Sequence, residues 1–308
     1  MKPTIYIEDL ARDITDNKTY KSLSQYLDLA HRYADFVAEE GNIQVIHSQT
    51  PEEHHYVFYQ YQDESIHYKI TRPINSQMMV PASSFEQEEK IFLELLSDLD
   101  KMKEASSEER KGFNNMVYTI QQSIGATLDS LNTNANSARK INGNMFENLI
   151  RLLFQNLGLD ARTNIATLKL KDENNQVVHT MKYQQDLVLK QNGQLKLIGD
   201  IKTSSKDRFD KVFMDAYFYN KIADAAIPHI AVFLNDVQRS KTKKRNQYRT
   251  SSTFCKGRFI GYSIGLDVLS GVYYCDKTRS MEEESYLQRK IKTLDCLYCE
   301  DIFKFLKI

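Results

Sequence analysis

The sequence is poor in the residues that build specialised scaffolds. Five prolines and 11 glycines in 308 residues exclude collagen-like and proline-rich architectures. No stretch approaches the roughly 18 consecutive apolar residues of a membrane-spanning helix, so no membrane partner is expected. The N-terminus runs from Met1-Lys2-Pro3-Thr4-Ile5 into Glu8-Asp9 without the charged-then-apolar pattern of a secretory leader, and the expected location is cytoplasmic. Cysteine is scarce too: Cys255, Cys275, Cys296 and Cys299. The last two have the C-x-x-C spacing of half a zinc site or a redox pair, but no second close pair exists. The four are read as plain buried thiols. His54-His55 has no partner at ligand spacing and is read as incidental.

What remains is ordinary for a globular chain. Apolar residues make up 41% and charged residues 27%, too apolar for disorder, and the length suits two domains of roughly 150 residues each. The net charge of zero averages two unlike halves. Residues 1–138 carry 12 basic against 22 acidic side chains, and residues 139–308 carry 29 against 19. A polyanion-binding function is therefore sought in the second half.

Periodicity divides the chain at the same place. In the first half a helix is expected over about 18–40. Strands are expected at Ile43–Ile46, Tyr56–Tyr61 and Ile66–Ile70, the last two paired as a hairpin. Ser83-x-x-Glu86 and Ser106-x-x-Glu109 read as capping boxes ahead of two further helices. The run Asn132-Thr-Asn-Ala-Asn-Ser137 is a loop, giving a mainly helical module over 1–138 and a second domain over 139–308. That domain opens with a helix over Asn144–Leu157. Strand segments follow at Ile165–Lys171, Val177–Lys182, Gln185–Lys190 and Leu195–Lys202, then a helix over about Lys206–Ala223 and an apolar strand, Ile227–Leu234. The class is α/β (α+β): a mixed β-sheet core flanked by helices, with a mainly helical N-terminal module.

Asp186-Leu-Val-Leu-Lys-Gln-Asn-Gly-Gln-Leu-Lys-Leu-Ile-Gly-Asp200-Ile-Lys202 carries the chemistry. Asn192-Gly193 supplies the positive φ of a tight turn, and a hairpin symmetric about Gly193 sets Asp186 opposite Asp200. Alternation puts Leu187, Leu189, Leu195, Leu197 and Ile201 on one face, and Asp186, Val188, Ile198, Asp200 and Lys202 on the other. Opposed carboxylates repel at Cβ separations of about 5 Å, and their apolar flanks keep screening water away. Either a shared proton or a divalent cation must offset that repulsion. Oxygen ligands without thiol or imidazole suit a hard ion, Mg²⁺ or its substitute Mn²⁺, and Lys202 would lie beside the outer waters of that ion. On edge strands the two aspartates would instead be ordinary surface carboxylates.

Asp-x13-Asp-x-Lys resembles the PD-(D/E)xK nuclease superfamily, with Asp186 as first acid, Asp200 as second and Lys202 as the lysine. Gln185 replaces the proline before the first acid, and Asp200 stands where glutamate is more frequent. The stretch Lys202-Thr-Ser-Ser-Lys-Asp-Arg208 leading into a helix looks like type II restriction endonucleases in particular, over roughly residues 140–235. The resemblance implies a restriction-endonuclease-like core and Mg²⁺-dependent hydrolysis of double-stranded DNA to 5′-phosphate ends. It also implies metal ligation by Asp186, Asp200 and the carbonyl of Ile201, and a supplementary ligand in Glu147 on the preceding helix. Glu147 alone would be an ordinary solvated helix residue.

DNA contacts are expected from Ser204, Ser205, Lys206 and Arg208, with one serine capping the following helix. Arg239-Ser-Lys-Thr-Lys-Lys-Arg-Asn-Gln-Tyr-Arg249, extended by Lys256 and Arg258, has six basic residues and no acid. It is either a mobile solvated loop or a phosphate grip formed by Arg239, Lys241, Lys243, Lys244, Arg245 and Arg249, with Asn246 and Gln247 placed to read base edges. A palindromic target would imply a two-fold homodimer. No nucleotide cofactor is expected. Alternatives are a repair or transposition nuclease of the same fold, and a DNA-binding module without catalysis.

Overall fold

The computed structural model describes residues 5–16, 20–62, 69–131, 135–223, 226–242 and 247–307. In chain order the elements are α1 (Ile7–Asp16), α2 (Leu23–Ala38), β1 (Ile43–His47), β2 (Tyr56–Tyr61), β3 (Ile74–Asn75), α3 (Phe85–Leu95), α4 (Leu99–Glu104), α5 (Ser107–Asp129) and α6 (Ala135–Asn156). There follow β4 (Asp160–Lys171), β5 (Val177–Gln191), β6 (Gln194–Lys202), α7 (Phe209–Ala223), β7 (His229–Phe233), β8 (Val237–Lys241), β9 (Tyr248–Ser252) and α8 (Lys256–Gly265). The chain ends with β10 (Gly271–Tyr274), α9 (Arg279–Glu283), α10 (Ser285–Lys290), β11 (Ile291–Thr293), α11 (Leu294–Cys296), a π-helical turn at Leu297–Asp301 and α12 (Ile302–Leu306). Among the described residues no helix is long and apolar enough to cross a membrane.

By contact the chain forms two units, residues 1–149 with 236–253, and residues 150–235 with 254–308. Charge sign and the asparagine run instead divide the chain between residues 138 and 139. Both are local signals, whereas compactness depends on what α6 and the basic segment pack against. The helix already begins at Ala135, inside the expected loop.

In the first unit α2 and α5 bury their apolar faces together with α1 and α3. The Ser106 box forms as expected: its hydroxyl accepts from the Glu109 amide at 3.3 Å, and the Glu109 carboxylate accepts from the Ser106 amide at 2.8 Å. The other box does not, because α3 starts one residue later, with Ser84 as N-cap and no side-chain bond. Strand β2 pairs with β1 and β3, and its end also pairs with the expected hairpin partner, the Tyr61 amide donating to the Lys69 carbonyl at 2.9 Å and the Thr71 amide to the Tyr59 carbonyl at 3.0 Å. Of Ile66–Ile70, residues 66–68 lie outside the described residues, and Ile70 makes an isolated bridge to Gln60.

The second unit is built on a six-stranded mixed sheet, ordered β11-β10-β7-β6-β5-β4. Strands β4, β5 and β6 are antiparallel, while β6, β7, β10 and β11 run parallel. The two expected hairpins share one strand, because β5 runs unbroken, pairing with β4 along its length and with β6 at its end. All five residues of β7 are buried, as a central parallel strand requires. Helix α7 lays Phe209, Val212 and Phe213 into a core completed by Phe233, Phe259, Val272 and Tyr274. The thiols of Cys275 and Cys299 are buried, but Cys255 is exposed at the start of α8, so it is no core residue.

Candidate active site

The β5–β6 hairpin turns on Asn192 and Gly193, with φ of 52° and 75°, the mirror-image turn that suits the right-handed twist of paired strands. Beyond it Gln191 faces Gln194 and Lys190 faces Leu195. Leu189 then faces Leu197, leaving Lys196 as an extra residue on β6. This β-bulge shifts the register by one, so the ladder continues through Val188–Ile198 to Leu187–Gly199. The expected register is met near the acids, though not by a symmetric turn. The bulge also reverses the face of Leu195, which packs with Val188 and Ile198 rather than with Leu197.

Asp186 lies one position past the last β5–β6 pair. A second irregularity falls here: Arg162 faces Val188, whereas Asn164 faces Gln185, so β5 has one residue more than β4 across this point. Bulges release a residue from the ladder and re-aim its side chain. The Asp186 carboxylate accepts from the Ile201 amide at 3.0 Å and from the Lys202 ammonium. That ammonium also donates to the Ile201 carbonyl at 3.0 Å. Two of the oxygens expected to ligate a metal thus already share a cation.

Asp200 stands on β6 opposite Ala231 of β7, only 8% exposed, on an interior strand rather than an edge. Burial, reinforced by the Asp186 charge, pushes its pKa up to about 7 against the opposing pull of Lys202. Asp215 of α7 adds to the upward push and Lys211 opposes it. Asp215 was not anticipated. It pairs with Lys211 one turn earlier, and its charge acts on Tyr183, whose pKa is raised chiefly by burial and then by Asp200 and Asp215. Tyr219, one turn further along α7, packs with Tyr183, Val188 and Ile198, and so brings this helix over the sheet face that carries the acids. Acidic residues on a charged helix edge are common, and no sequence spacing singles this one out.

The other expected residues belong to other elements. Glu147 is half-buried on α6, in the part assigned to the first unit. Among the described residues no group of three or more His, Cys, Asp or Glu side chains is arranged to hold a metal ion. The oxygen-only set of Asp186, Asp200 and the Ile201 carbonyl nonetheless fits a hard divalent ion.

Lys206 and Arg208 are exposed in the turn before α7, but Ser205 is buried. Neither Ser204 nor Ser205 caps that helix, which starts at Phe209. Ser204 instead accepts from the Lys206 amide at 3.1 Å, closing a local turn. Arg239 and Arg249 are exposed on the β8–β9 ribbon, Gln247 just ahead of β9, and Lys241 ends β8. Lys243, Lys244, Arg245 and Asn246 lie outside the described residues. Lys256 and Arg258 do not extend the ribbon: they sit on α8 in the second unit, where they face Glu284 and Asp210.

The sequence matches no family model and no curated protein. Among solved structures it is similar to the type IIP restriction endonuclease Kpn2I, with a TM-score of 0.68 at 15% identity, over 98% of this chain and 96% of that one. The restriction endonuclease PspGI, in a complex with substrate DNA, gives a TM-score of 0.37 at 13% identity, over 73% of this chain and 93% of that one. With its six-stranded mixed sheet flanked by helices and its match to Kpn2I, the chain has a restriction-endonuclease-like fold.

Proposed function

We propose that the protein is a metal-dependent, sequence-specific endonuclease of double-stranded DNA, of the type II restriction class. The observation that carries this reading is the convergence of Asp186, Asp200, Lys202 and the Ile201 carbonyl where β5 parts from β6, on the fold of a restriction endonuclease.

Asp186, Asp200 and the Ile201 carbonyl would hold Mg²⁺, or Mn²⁺ in its place. When bound, the ion supplies Lewis acidity towards a phosphodiester and lowers the pKa of water. Asp186 is fixed by the Ile201 amide, so its carboxylate is oriented before substrate arrives. Asp200 is held near neutrality by burial and by Asp186, so a cation would be exchanged for a proton there. Lys202, released from Asp186, would place its ammonium beside the attacked phosphate and stabilise the charge that develops on it. Lys206 and Arg208, and the ribbon from Arg239 to Arg249, would grip the backbone. A palindromic target would bring two copies together, one centre for each strand.

The test is incubation of purified protein with phage DNA and Mg²⁺, beside Asp200→Ala, Lys202→Ala and an EDTA control. Discrete fragments from the native protein, absent from all three controls, are the expected result. Cleavage that survives both substitutions would place the active site elsewhere. Retention of uncut DNA on a gel by the native protein would favour a binding module without catalysis, or a repair or transposition enzyme with a structured substrate.

A further inference from the structure

We propose that the groove of the first unit lined by Lys69, Arg72, Arg139 and Arg239 binds the sugar–phosphate backbone of duplex DNA. The proposal rests on the nuclease reading for its partner.

The groove encloses about 730 Å³ and is completed by Ile70, Thr71, Pro73, Val237, Gln238 and the single acid Asp129. Four cations face one carboxylate, and two of them, Lys69 and Arg72, come from residues 1–138, which carry ten more acidic than basic side chains. The lone acid is also fully engaged. Asp129 accepts from Arg72 Nε and Nη2 at 2.9 Å each, and from the Arg72 amide at 2.8 Å. The forked pair is built into the unit: a Cβ on Gly125 would overlap the guanidinium, with Nε 2.8 Å away.

The remaining cations are positioned by neutral groups. Arg239 lies over the Tyr248 ring at 5.4 Å and donates to the Ile70 carbonyl at 3.4 Å. Lys69 donates to the Leu131 carbonyl just beyond α5. Arg139 donates to the Asn136 side-chain oxygen at 3.2 Å. Guanidinium groups held by rings and carbonyls keep donors for phosphate oxygens. A single small anion would engage one or two of them, whereas a row of phosphates can engage several. The β8–β9 ribbon that contributes Arg239 also carries exposed Arg249 on its second strand. Contacts of this kind fix position without reading sequence.

The experiment is fluorescence anisotropy with a labelled duplex of about 30 base pairs in EDTA, over a range of salt concentrations. Native protein is compared with the double variant Arg139→Ala/Arg239→Ala and with Lys90→Ala, an exposed α3 cation outside the groove. Each lost phosphate contact lowers the slope of log affinity against log salt by about 0.9. The double variant should therefore lose about 1.8 in slope and about tenfold in affinity at physiological salt. Its thermal midpoint should stay as in the native protein, and Lys90→Ala should bind like native. An unchanged slope and affinity in the double variant, while native protein binds and cuts, would remove the groove and leave the nuclease reading standing. Native protein that neither binds nor cuts duplex DNA would overturn both.

Discussion

At the scale of single residues, the site is an electrostatic conflict resolved by burial geometry. The Asp200 carboxyl ionises near its ordinary value of 3.8 when the chain is unfolded and at about 7 when folded. Between those values the unfolded chain has released a proton that the folded chain keeps. Stability from this group is thus full below about pH 3.8 and lost as pH rises through 7. The loss is on the order of a few kcal/mol. In urea titrations with EDTA, the native midpoint should fall more steeply between about pH 5 and 7 than that of Asp200→Asn, which has no proton to release. Parallel curves would mean that Asp200 is solvated. The acid–acid–lysine set was legible because each member lies close to one turn whose Asn-Gly chemistry is unambiguous. Asp215 was not, since it reaches the site through the packing of a helix, and packing leaves no local signature.

At the scale of elements, the bulge at Lys196 accounts for both a success and an error. A symmetric turn was assumed, whereas the chain makes a two-residue turn and then inserts one residue; both routes lead to the same pairing at Leu187–Gly199. The face of Leu195 is where the two differ. Deletion of Lys196 should therefore leave a regular hairpin with every other pair intact, at a stability cost below about 1 kcal/mol, and DNA cleavage should persist. Deletion of Gly199, between the bulge and the acid, turns Asp200 to the opposite face and should abolish cleavage without unfolding the chain. Circular dichroism melts and a plasmid assay separate these outcomes. Other elements were misjudged where the signal is cooperative. Strand β5 was divided because polar residues interrupt it, yet β4 pairs with it throughout. The short strands β10 and β11 were not expected: β10 adds to the parallel edge of β7, and β11 to that of β10.

At the scale of the whole molecule, charge and compactness divide the chain differently. The basic segment lies in the half of positive charge, but it folds with the first unit. Thr250 donates from its amide to Thr50 Oγ1 at 2.9 Å, the Gln49 amide donates to the Tyr248 carbonyl at 2.9 Å, and the Phe58 and Tyr248 rings lie 5.5 Å apart. Such contacts join residues some 200 positions apart, beyond any window in which a sequence pattern can be read. Within the ribbon, the Thr253 amide donates to the Asp236 carbonyl at 2.7 Å, so the excursion leaves and returns at one point. Replacing residues 236–253 by a short glycine link should keep the sheet of the second unit, seen as an unchanged strand signal in circular dichroism. DNA affinity should fall by at least about tenfold with the lost cations. A collapse of the strand signal would show that the sheet depends on the ribbon.

That closed junction also bears on descent. A segment whose two ends meet can be lengthened, shortened or exchanged without stretching the strand before it or the helix after it. Under the proposed function, the surface that would grip nucleic acid could then change by replacement of one cassette, with Asp186, Asp200 and Lys202 left in place.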